Sequence, residues 1–129
     1  MNKKGTIFIV EDNLVNMKLI MDLLEFHNYS IIEAYNGKEA MEKIEVHKHE
    51  IDLVLMDLQL PEIDGLDLIK AFKNDSSTKH IPIIVISAHV MEADMHKAME
   101  AGCCNYITKP INVEEFVSKI DEFFSEARV

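Results

Sequence analysis

Short apolar runs alternate with longer stretches of helical hydrophobic period along the whole chain. The short runs are rich in Ile and Val and are mostly apolar on both faces, as buried parallel strands require. They predict five strands, at Thr6–Val10, Tyr29–Ala34, Ile51–Met56, Ile81–Ile86 and Asn105–Thr108. The longer stretches predict five helices, at about Leu14–His27, Lys38–Lys48, Leu66–Lys73, Glu92–Ala101 and Val113–Ala127. The pattern therefore predicts a single α/β domain of (βα)5 type over residues 1–129, with no effector domain.

Two of the predicted helices begin with capping boxes, Asn36-Gly-Lys-Glu39 and Asn112-Val-Glu-Glu115. Right-handed crossovers between the parallel strands favour a three-layer, doubly wound sheet in the order 2-1-3-4-5. Such a sheet binds its ligands just beyond the carboxyl ends of the strands, beside the switch point between the first and third strands. The residues that end or follow each strand are therefore the candidates for function.

Composition and charge narrow the function classes. The 129 residues include 13 Lys and Arg against 23 Asp and Glu, a net charge of −10 that disfavours binding to nucleic acid or anionic lipid. The longest stretch without a charged residue, His80 to Met91, is too short to span a bilayer, and no secretory signal precedes the first strand. The two cysteines, Cys103 and Cys104, are adjacent and suggest neither a disulfide nor a zinc site. We expect a cytoplasmic monomer.

Polar and charged side chains stand at the carboxyl ends of four predicted strands. Glu11 and Asp12 follow the first strand, Asp57 the third, Ser87 the fourth and Lys109 the fifth. Asp12 alone could equally be a helix cap. Three carboxylates held together would raise one another's pKa unless a cation lay among them, and oxygen ligands suit Mg²⁺ or Mn²⁺ better than zinc. The cluster predicts a divalent metal site.

Asp57 is the candidate nucleophile of this cluster. A carboxylate can attack a phosphoryl group while a metal ion and Lys109 offset the charge on the phosphoryl oxygens, and Ser87 can donate a hydrogen bond to the same group. The sequence contains no GxxxxGK[ST] loop, so we do not expect a nucleotide-binding phosphate loop.

Four segments together resemble the response-regulator receiver domains of two-component phosphorelays, and the resemblance extends over essentially the full chain. The segments are IFIVEDN (7–13), LVLMDLQLPEIDG (53–65), VISA (85–88) and YITKP (106–110). The resemblance implies the flavodoxin-like, CheY-like fold. It also implies that Asp57 accepts a phosphoryl group from a phosphohistidine of a histidine kinase or a histidine phosphotransfer protein.

The resemblance assigns metal ligands. It implies that Asp12 and Asp57 bind Mg²⁺ directly, that Glu11 contributes through water, and that the backbone carbonyl of Gln59 is a further ligand. Gln59 and His89 stand at positions that resemble those tuning the lifetime of the phosphoryl group in the family.

The resemblance also assigns a switch. Ser87 and Lys109 contact the phosphoryl group, the peptide bond between Lys109 and Pro110 is cis, and Ser87 and Tyr106 report phosphorylation by changing position. A cis bond before proline is energetically accessible.

The first helix carries more apolar residues than one core stripe requires, with eight in the eleven positions from Leu14 to Leu24. One interpretation places Leu19, Ile20, Leu23 and Leu24 on the sheet. It leaves Leu14, Met17 and Met21 as a second stripe that docks a histidine kinase or phosphotransfer protein. The alternative is that the second stripe is core under a neighbouring helix.

The fourth helix carries methionines at every fourth position, Met91, Met95 and Met99. They form either core filling or a flexible binding ridge near Tyr106. The resemblance implies that the fourth helix, fifth strand and fifth helix form the output face, so we expect Met95, Met99 and Tyr106 to bind the downstream protein, whose identity the sequence does not give.

Other conspicuous residues have simple structural interpretations. His47 and His49 suit the last turn of the second helix, where positive charge is favourable. We expect Cys104 to be buried and Cys103 to be more exposed. The phenylalanines are expected in the core: Phe72, Phe116, Phe123 and Phe124.

Three alternatives to a stand-alone receiver stay open. The first is a receiver cut from a hybrid histidine kinase. The second is an aspartyl-phosphate phosphatase or phosphotransferase, which normally has an acid two residues after the nucleophile, where Gln59 stands. The third is a flavodoxin-like electron carrier, whose Ser/Thr-rich phosphate loop is missing after the first strand.

Overall fold

The computed structural model describes residues 3–88 and 91–127, with side chains as far as residue 125. His89 lies outside the described residues. The strands are β1 Thr6–Val10, β2 Ser30–Ala34, β3 Leu53–Asp57, β4 Ile83–Ser87 and β5 Asn105–Thr108. The helices are α1 Leu14–Phe26, α2 Gly37–His47, α3 Gly65–Asn74, α4 Glu92–Ala101 and α5 Val113–Ala127. The predicted alternation of strands and helices is confirmed.

The five strands form one parallel sheet in the order β2-β1-β3-β4-β5, as predicted. Asp57 of β3 pairs with Ile86 of β4, and Ser87 of β4 pairs with Thr108 of β5. This register places Asp57, Ser87 and the residue after Thr108 at the same carboxyl edge of the sheet.

Helix starts follow the expected capping chemistry. The side chains of Asn36 and Asn112 accept hydrogen bonds from the backbone N–H groups three residues later, at 2.8 and 3.0 Å. The cap of α1 is Asn13, whose Oδ1 accepts from the N–H of Asn16 at 2.9 Å. Asp12 is therefore not the cap of α1, which leaves its carboxylate available to the site at the sheet edge.

The sheet separates two hydrophobic cores. One face of the strands packs on α2, α3 and α4, and the other packs on α1 and α5. Three of the four predicted core phenylalanines are buried and the fourth, Phe123, is partly buried. Because strand side chains alternate between faces, both cores are built from the same continuous apolar runs.

The packing of α1 corrects the prediction of two stripes. Met17 is 1% exposed and packs with Ile20 in the core beneath the helix, so it is not part of an exposed stripe. Met21 is partly buried against the same core. Leu14 is 71% exposed, and Leu19, which was expected on the sheet, also faces solvent. Apolar residues on both sides of α1 left its rotational phase undetermined by the sequence.

Two smaller expectations are also corrected. Cys103 is the buried cysteine and Cys104 the exposed one, and both are free thiols. The Cys103 thiol contacts Met99 Sδ at 3.5 Å, on the side of the chain that faces the core. His47 lies in the last turn of α2 as expected, but His49 lies beyond the end of that helix. None of the helices in the described ranges combines the length and apolarity needed to cross a bilayer.

Candidate functional site

Several polar side chains at the carboxyl edge of the sheet are buried. Glu11 is 1% exposed, Asp57 is 3% exposed and Ser87 is fully buried, whereas Asp12 is exposed beside them. The β1–α1 turn positions the first acidic pair, and the ends of β3 and β4 position the other two residues. The structure thus brings the predicted site residues together.

Lys109 joins the two buried carboxylates. Its Nζ lies 2.7 Å from Glu11 Oε1 and 3.0 Å from Asp57 Oδ2, and its side chain is 15% exposed. The N–H of Lys109 donates to the carbonyl oxygen of Ser87 at 2.9 Å, which fixes the lysine to the end of β4. The peptide bond from Lys109 to Pro110 is cis, as expected.

Each buried carboxylate also accepts a backbone hydrogen bond through its second oxygen. The N–H of Asn13 donates to Glu11 Oε2 at 3.1 Å, and the N–H of Gln59 donates to Asp57 Oδ1 at 2.9 Å. Buried charges are tolerated when they are paired in this way. The two loops that follow β1 and β3 therefore hold the carboxylates in fixed orientations.

The electrostatics of the edge indicate a deficit of positive charge. Burial and the neighbouring Asp57 carboxyl raise the pKa of Glu11 from 4.5 to about 7, although Lys109 acts in the opposite direction. Burial alone would lower the pKa of Lys109, but hydrogen bonds to Glu11 and Asp57 raise it above 10.5. One ammonium thus pairs with two buried carboxyl groups, and a further cation would favour the ionised form of both.

The donor set fits a hard divalent cation. One carboxylate oxygen from each of Glu11, Asp12 and Asp57 lies within 4.8 Å of the others. Magnesium is usually held by one or two carboxylates together with other oxygen ligands and water, and it disfavours nitrogen and sulfur. The described residues around the cluster place no histidine or cysteine in this set.

Gly65 is a structural requirement of the site that the sequence analysis missed. A Cβ atom at Gly65 would lie 2.6 Å from the Cα of Leu58 and 2.7 Å from the carbonyl oxygen of Asp57. The β3–α3 loop therefore returns directly onto the backbone that carries Asp57. The only sequence signal is that this glycine ends the segment 53–65 and begins α3.

The residues expected on the output face differ in how far they are buried. Tyr106 is buried in the core shared with α2–α4, Met95 is partly buried against that core, and Met99 is about half exposed. Met91, at the start of the same ridge, is largely exposed. Burial of Met95 is incomplete, so its proposed role in binding stays a prediction.

Comparison with known proteins agrees with this site. The family model described as "Response regulator receiver domain" matches residues 7–121. The Polar-differentiation response regulator DivK of Brucella anthropi is 42% identical over 122 residues, which cover 95% of this chain and 98% of that protein. The corresponding regulator of Brucella ovis is 41% identical over the same extent.

Solved structures show the same fold. The receiver domain of the sensor histidine kinase PA1611 from Pseudomonas aeruginosa PAO1, solved with a magnesium ion in its active-site cleft, aligns with a TM-score of 0.83 and 26% identity, covering 94% of this chain and 98% of that one. CheY in the CheX-CheY-BeF3-Mg complex from Borrelia burgdorferi aligns with a TM-score of 0.86 and 25% identity, over 93% and 89% of the two chains. The family match contains the whole acidic edge, so the chain belongs to the response regulator receiver domains, the phosphoryl-accepting regulators of two-component signalling.

Proposed function

We propose that Asp57 is the phosphorylated residue of this receiver and that its donor is a phosphohistidine on a histidine kinase or a histidine phosphotransfer protein. The observation that carries the proposal is the buried Asp57 carboxylate, which shares the Lys109 ammonium with Glu11 at the carboxyl edge of the sheet. The similar receiver domain of PA1611 holds a magnesium ion in its active-site cleft, which supports Mg²⁺ as the cofactor.

The proposed reaction is a transfer from nitrogen to oxygen. An oxygen of the Asp57 carboxylate attacks phosphorus, a P–O bond forms and the P–N bond to the donor imidazole breaks. The imidazole leaves with the bonding electron pair and takes up a proton from solvent. Lys109 already lies 3.0 Å from Asp57 Oδ2, so it can offset negative charge on the incoming phosphoryl oxygens without a large movement.

The metal ligands would come from the same cluster. Asp12 and Asp57 would hold Mg²⁺ directly, Glu11 would act through water, and the carbonyl of Gln59 would be a further ligand. Bound Mg²⁺ would supply positive charge that stabilises the charge developing on the phosphoryl oxygens. Hydrolysis of the aspartyl phosphate at the same site would return the domain to its resting state, so the chain would act on itself and not on a small substrate.

The switch is proposed to pass from Ser87 to Tyr106. Ser87 ends β4 beside the acidic cluster, and the Tyr106 ring lies buried on the neighbouring strand β5. A hydrogen bond from the Ser87 hydroxyl to a phosphoryl oxygen would favour a second position of the ring. The readout would be binding of a downstream protein at Met95, Met99 and Tyr106.

The docking surface for the phosphoryl donor is proposed on the solvent side of α1. Leu14, Val15 and Leu19 line a shallow apolar groove that also includes Lys18 and Asp22. This groove replaces the predicted stripe that included Met17. Because the groove begins at the first turn of α1, one residue after its cap Asn13, a helix bound there would lie beside the acidic edge.

A matched pair of variants tests the docking surface. Leu14→Lys should lower the rate of phosphotransfer from a phosphorylated histidine phosphotransfer domain about tenfold, because a buried interface contact is lost. Phe26→Lys changes another largely exposed residue, at the far end of the same helix, and should leave the rate unchanged. Equal rates for both variants and the wild type would remove α1 from the docking surface.

We further propose that the domain acts as a cytoplasmic monomer. The two free thiols are consistent with a reducing compartment. The similarity to the DivK regulators over 98% of their length supports a regulator of the same kind. The likeness to the receiver of a sensor histidine kinase supports the alternative, a receiver from a hybrid kinase.

Intact-protein mass spectrometry tests the central chemistry. After incubation with acetyl phosphate and Mg²⁺, the wild type should carry one phosphoryl group and Asp57→Asn none. Asp52→Asn is the control, because Asp52 lies just before the same strand but at its other end. Failure of the wild type to gain a phosphoryl group, or equal labelling of the wild type and Asp57→Asn, would contradict the proposal.

A further inference from the structure

A second cavity, of about 490 Å³, opens at the amino edge of the sheet. Its lining comes from the residues just before β1, β3 and β4, from the two residues that follow α2 and from the carboxyl-terminal part of α5. Since a five-residue strand is about 16 Å long, the cavity lies at the end of β3 opposite to Asp57. It is separate from the proposed phosphorylation site.

The lining of this cavity is rich in basic side chains. The chain carries a net charge of −10, yet Lys4, Lys48, His49 and His80 line the cavity together with a single acid, Asp52. The Asp52 Oδ2 atom already accepts a hydrogen bond from the N–H of Thr6 at 2.9 Å. Lys4 and Lys48 are ion-paired with Asp121 and Glu45, at 3.3 and 3.1 Å. The cavity therefore offers basic hydrogen-bond donors and not a net positive charge.

Three of these basic groups retain hydrogen-bonding capacity. Lys48 Nζ contacts Glu45 Oε2 at 3.1 Å and Ser77 Oγ at 3.2 Å, which uses two of its three N–H donors. The imidazoles of His49 and His80 are exposed and make no hydrogen bond or ion pair within the part of the chain that the structure describes. Each can point a donor at a bound anion.

A purely structural role explains only part of this cluster. Lys48 caps the end of α2, where a positive charge is favourable against the helix dipole. His80 belongs to no helix, because it precedes β4, and His49 lies beyond the end of α2. The helix dipole therefore leaves both histidines unexplained.

The floor of the cavity is apolar. Ile51, Ile81 and Phe124 are almost fully buried. Phe123 is partly buried and packs edge-on against Phe124, with the two ring centroids 5.2 Å apart. An apolar floor with a few polar groups at the rim is the usual composition of a small-molecule site, and the volume lies within the usual range of about 300–1,000 Å³.

We propose that this cavity binds a small anion with a planar apolar body, such as a mononucleotide or an aromatic carboxylate. The anionic group contacts Lys48, His49 and His80 at the rim. The planar body lies on Phe123 and Ile81. This site is independent of Asp57 and of the proposed phosphorylation.

NMR titration of the unphosphorylated full chain, without Mg²⁺, tests the proposal. Adenosine 5′-monophosphate and benzoate are the two probes, and they distinguish a nucleotide from an aromatic carboxylate. At least one probe should give saturable amide shifts at Asp52, His80 and Phe123, with a dissociation constant on the order of 1 mM or below. Adenosine and inorganic phosphate, which each lack half of the recognised chemistry, should bind at least about tenfold more weakly than the monophosphate.

Variants separate a specific site from general attraction to positive charge. Lys48→Gln and His80→Gln should each weaken binding about fivefold, the effect of one partly exposed ionic contact. Lys97→Gln, on α4 and lining a different cavity, is the matched control and should not change the affinity. The proposal is overturned if neither probe gives saturable shifts at these residues, if inorganic phosphate binds as tightly as the monophosphate, or if all three variants bind equally.

Discussion

The two edges of the sheet differ in how far their charged side chains are buried. At the carboxyl edge, Glu11 and Asp57 are buried and share the partly buried Lys109 ammonium, so each group depends on the others. At the amino edge, charged side chains such as Lys48 and Asp121 keep contact with solvent and form local pairs with exposed partners. The same five strands form both edges. The difference therefore comes from the residues that precede the strands at one edge and those that end or follow them at the other.

This difference in burial suits the two edges to different kinds of site. Charges removed from water interact strongly, and groups held in such a place can stabilise a developing charge without first reorganising. Charges that stay in water interact weakly, so they can be exchanged at little cost and suit a reversible ligand site. Comparing variants at the two edges, and titrating one charge at the amino edge, tests this difference.

The largest difference is expected on removing one lysine from each edge. Lys109→Met should lower the free energy of unfolding by about 3 kcal/mol, because two buried carboxylates lose their cation. Lys48→Met should lower it by at most about 1 kcal/mol, because its partner Glu45 is exposed. Urea unfolding of the two variants measures both values, and equal losses would show that burial does not distinguish the edges.

A glycine at each edge gives the next contrast. Gly65→Ala should cost about 2 kcal/mol, because its Cβ would meet backbone atoms of Leu58 and Asp57 that cannot move independently. Gly5→Ala should cost about 1 kcal/mol, because its Cβ would meet the ring of Phe124, which can shift. Thermal unfolding compares them. A larger loss for Gly5→Ala would show that the β3–α3 loop adapts more easily than the aromatic packing.

Magnesium should stabilise only through the carboxyl edge. At about ten times its dissociation constant, Mg²⁺ should raise the free energy of unfolding of the wild type by about 1.4 kcal/mol, since it binds the folded state. Asp12→Ala should lose most of this gain, and Asp52→Ala, at the amino edge, should keep it. The measurement is urea unfolding with and without the metal; a gain that survives in Asp12→Ala would place the bound ion elsewhere.

The smallest effect is expected for a carboxylate at the amino edge. Partial burial would raise the pKa of Asp121, but hydrogen bonds from Tyr29 and Lys4 lower it below its ordinary value of 3.8. A lowered carboxyl pKa stabilises the fold above that ordinary value, and the stabilisation is lost as the pH falls through the folded-state pKa.

Asp121→Asn should therefore cost about 0.5 kcal/mol at about pH 7, a value limited by solvent screening. The difference from the wild type should disappear well below pH 3.8. Unfolding curves across this range measure it. A difference that is independent of pH would mean that the Asp121 charge contributes nothing and that only the shape of the side chain matters.

The strand order and the members of the acidic edge could be predicted because both follow from alternation and from the residues that end apolar runs. The limits of β3 and β4 could not be predicted as closely. Both strands begin two residues later than expected and include Asp57 and Ser87 as their last residues. Pairing register decides such limits, and it depends on the neighbouring strands.

The predictions that failed concern which side of the backbone is buried. In α1 an apolar residue stands on nearly every side, so no periodic minimum marks the exposed face, and Met17 was placed on the wrong side. The burial of Cys103 and Cys104 was predicted the wrong way round. Neighbouring residues near a strand face opposite sides, and the sequence does not determine which of the two faces the core. Gly65 was missed because the close approach it permits involves backbone atoms seven and eight residues away.

The cavity at the amino edge was not predicted either. Its lining comes from five separate segments, and none of them contains a recognisable motif. The acidic edge was easier to predict because its residues end the strands or follow them directly and carry a recognisable chemistry.

The most direct test of the account is to identify the phosphorylated residue. Borohydride reduces an aspartyl phosphate to homoserine, which peptide sequencing by mass spectrometry can locate. After treatment of the wild type with acetyl phosphate and Mg²⁺, the account predicts homoserine at position 57 alone, and none when Mg²⁺ is omitted. Homoserine at position 12, a reduced glutamyl phosphate at position 11, or an unchanged Asp57 in a phosphorylated sample would contradict it.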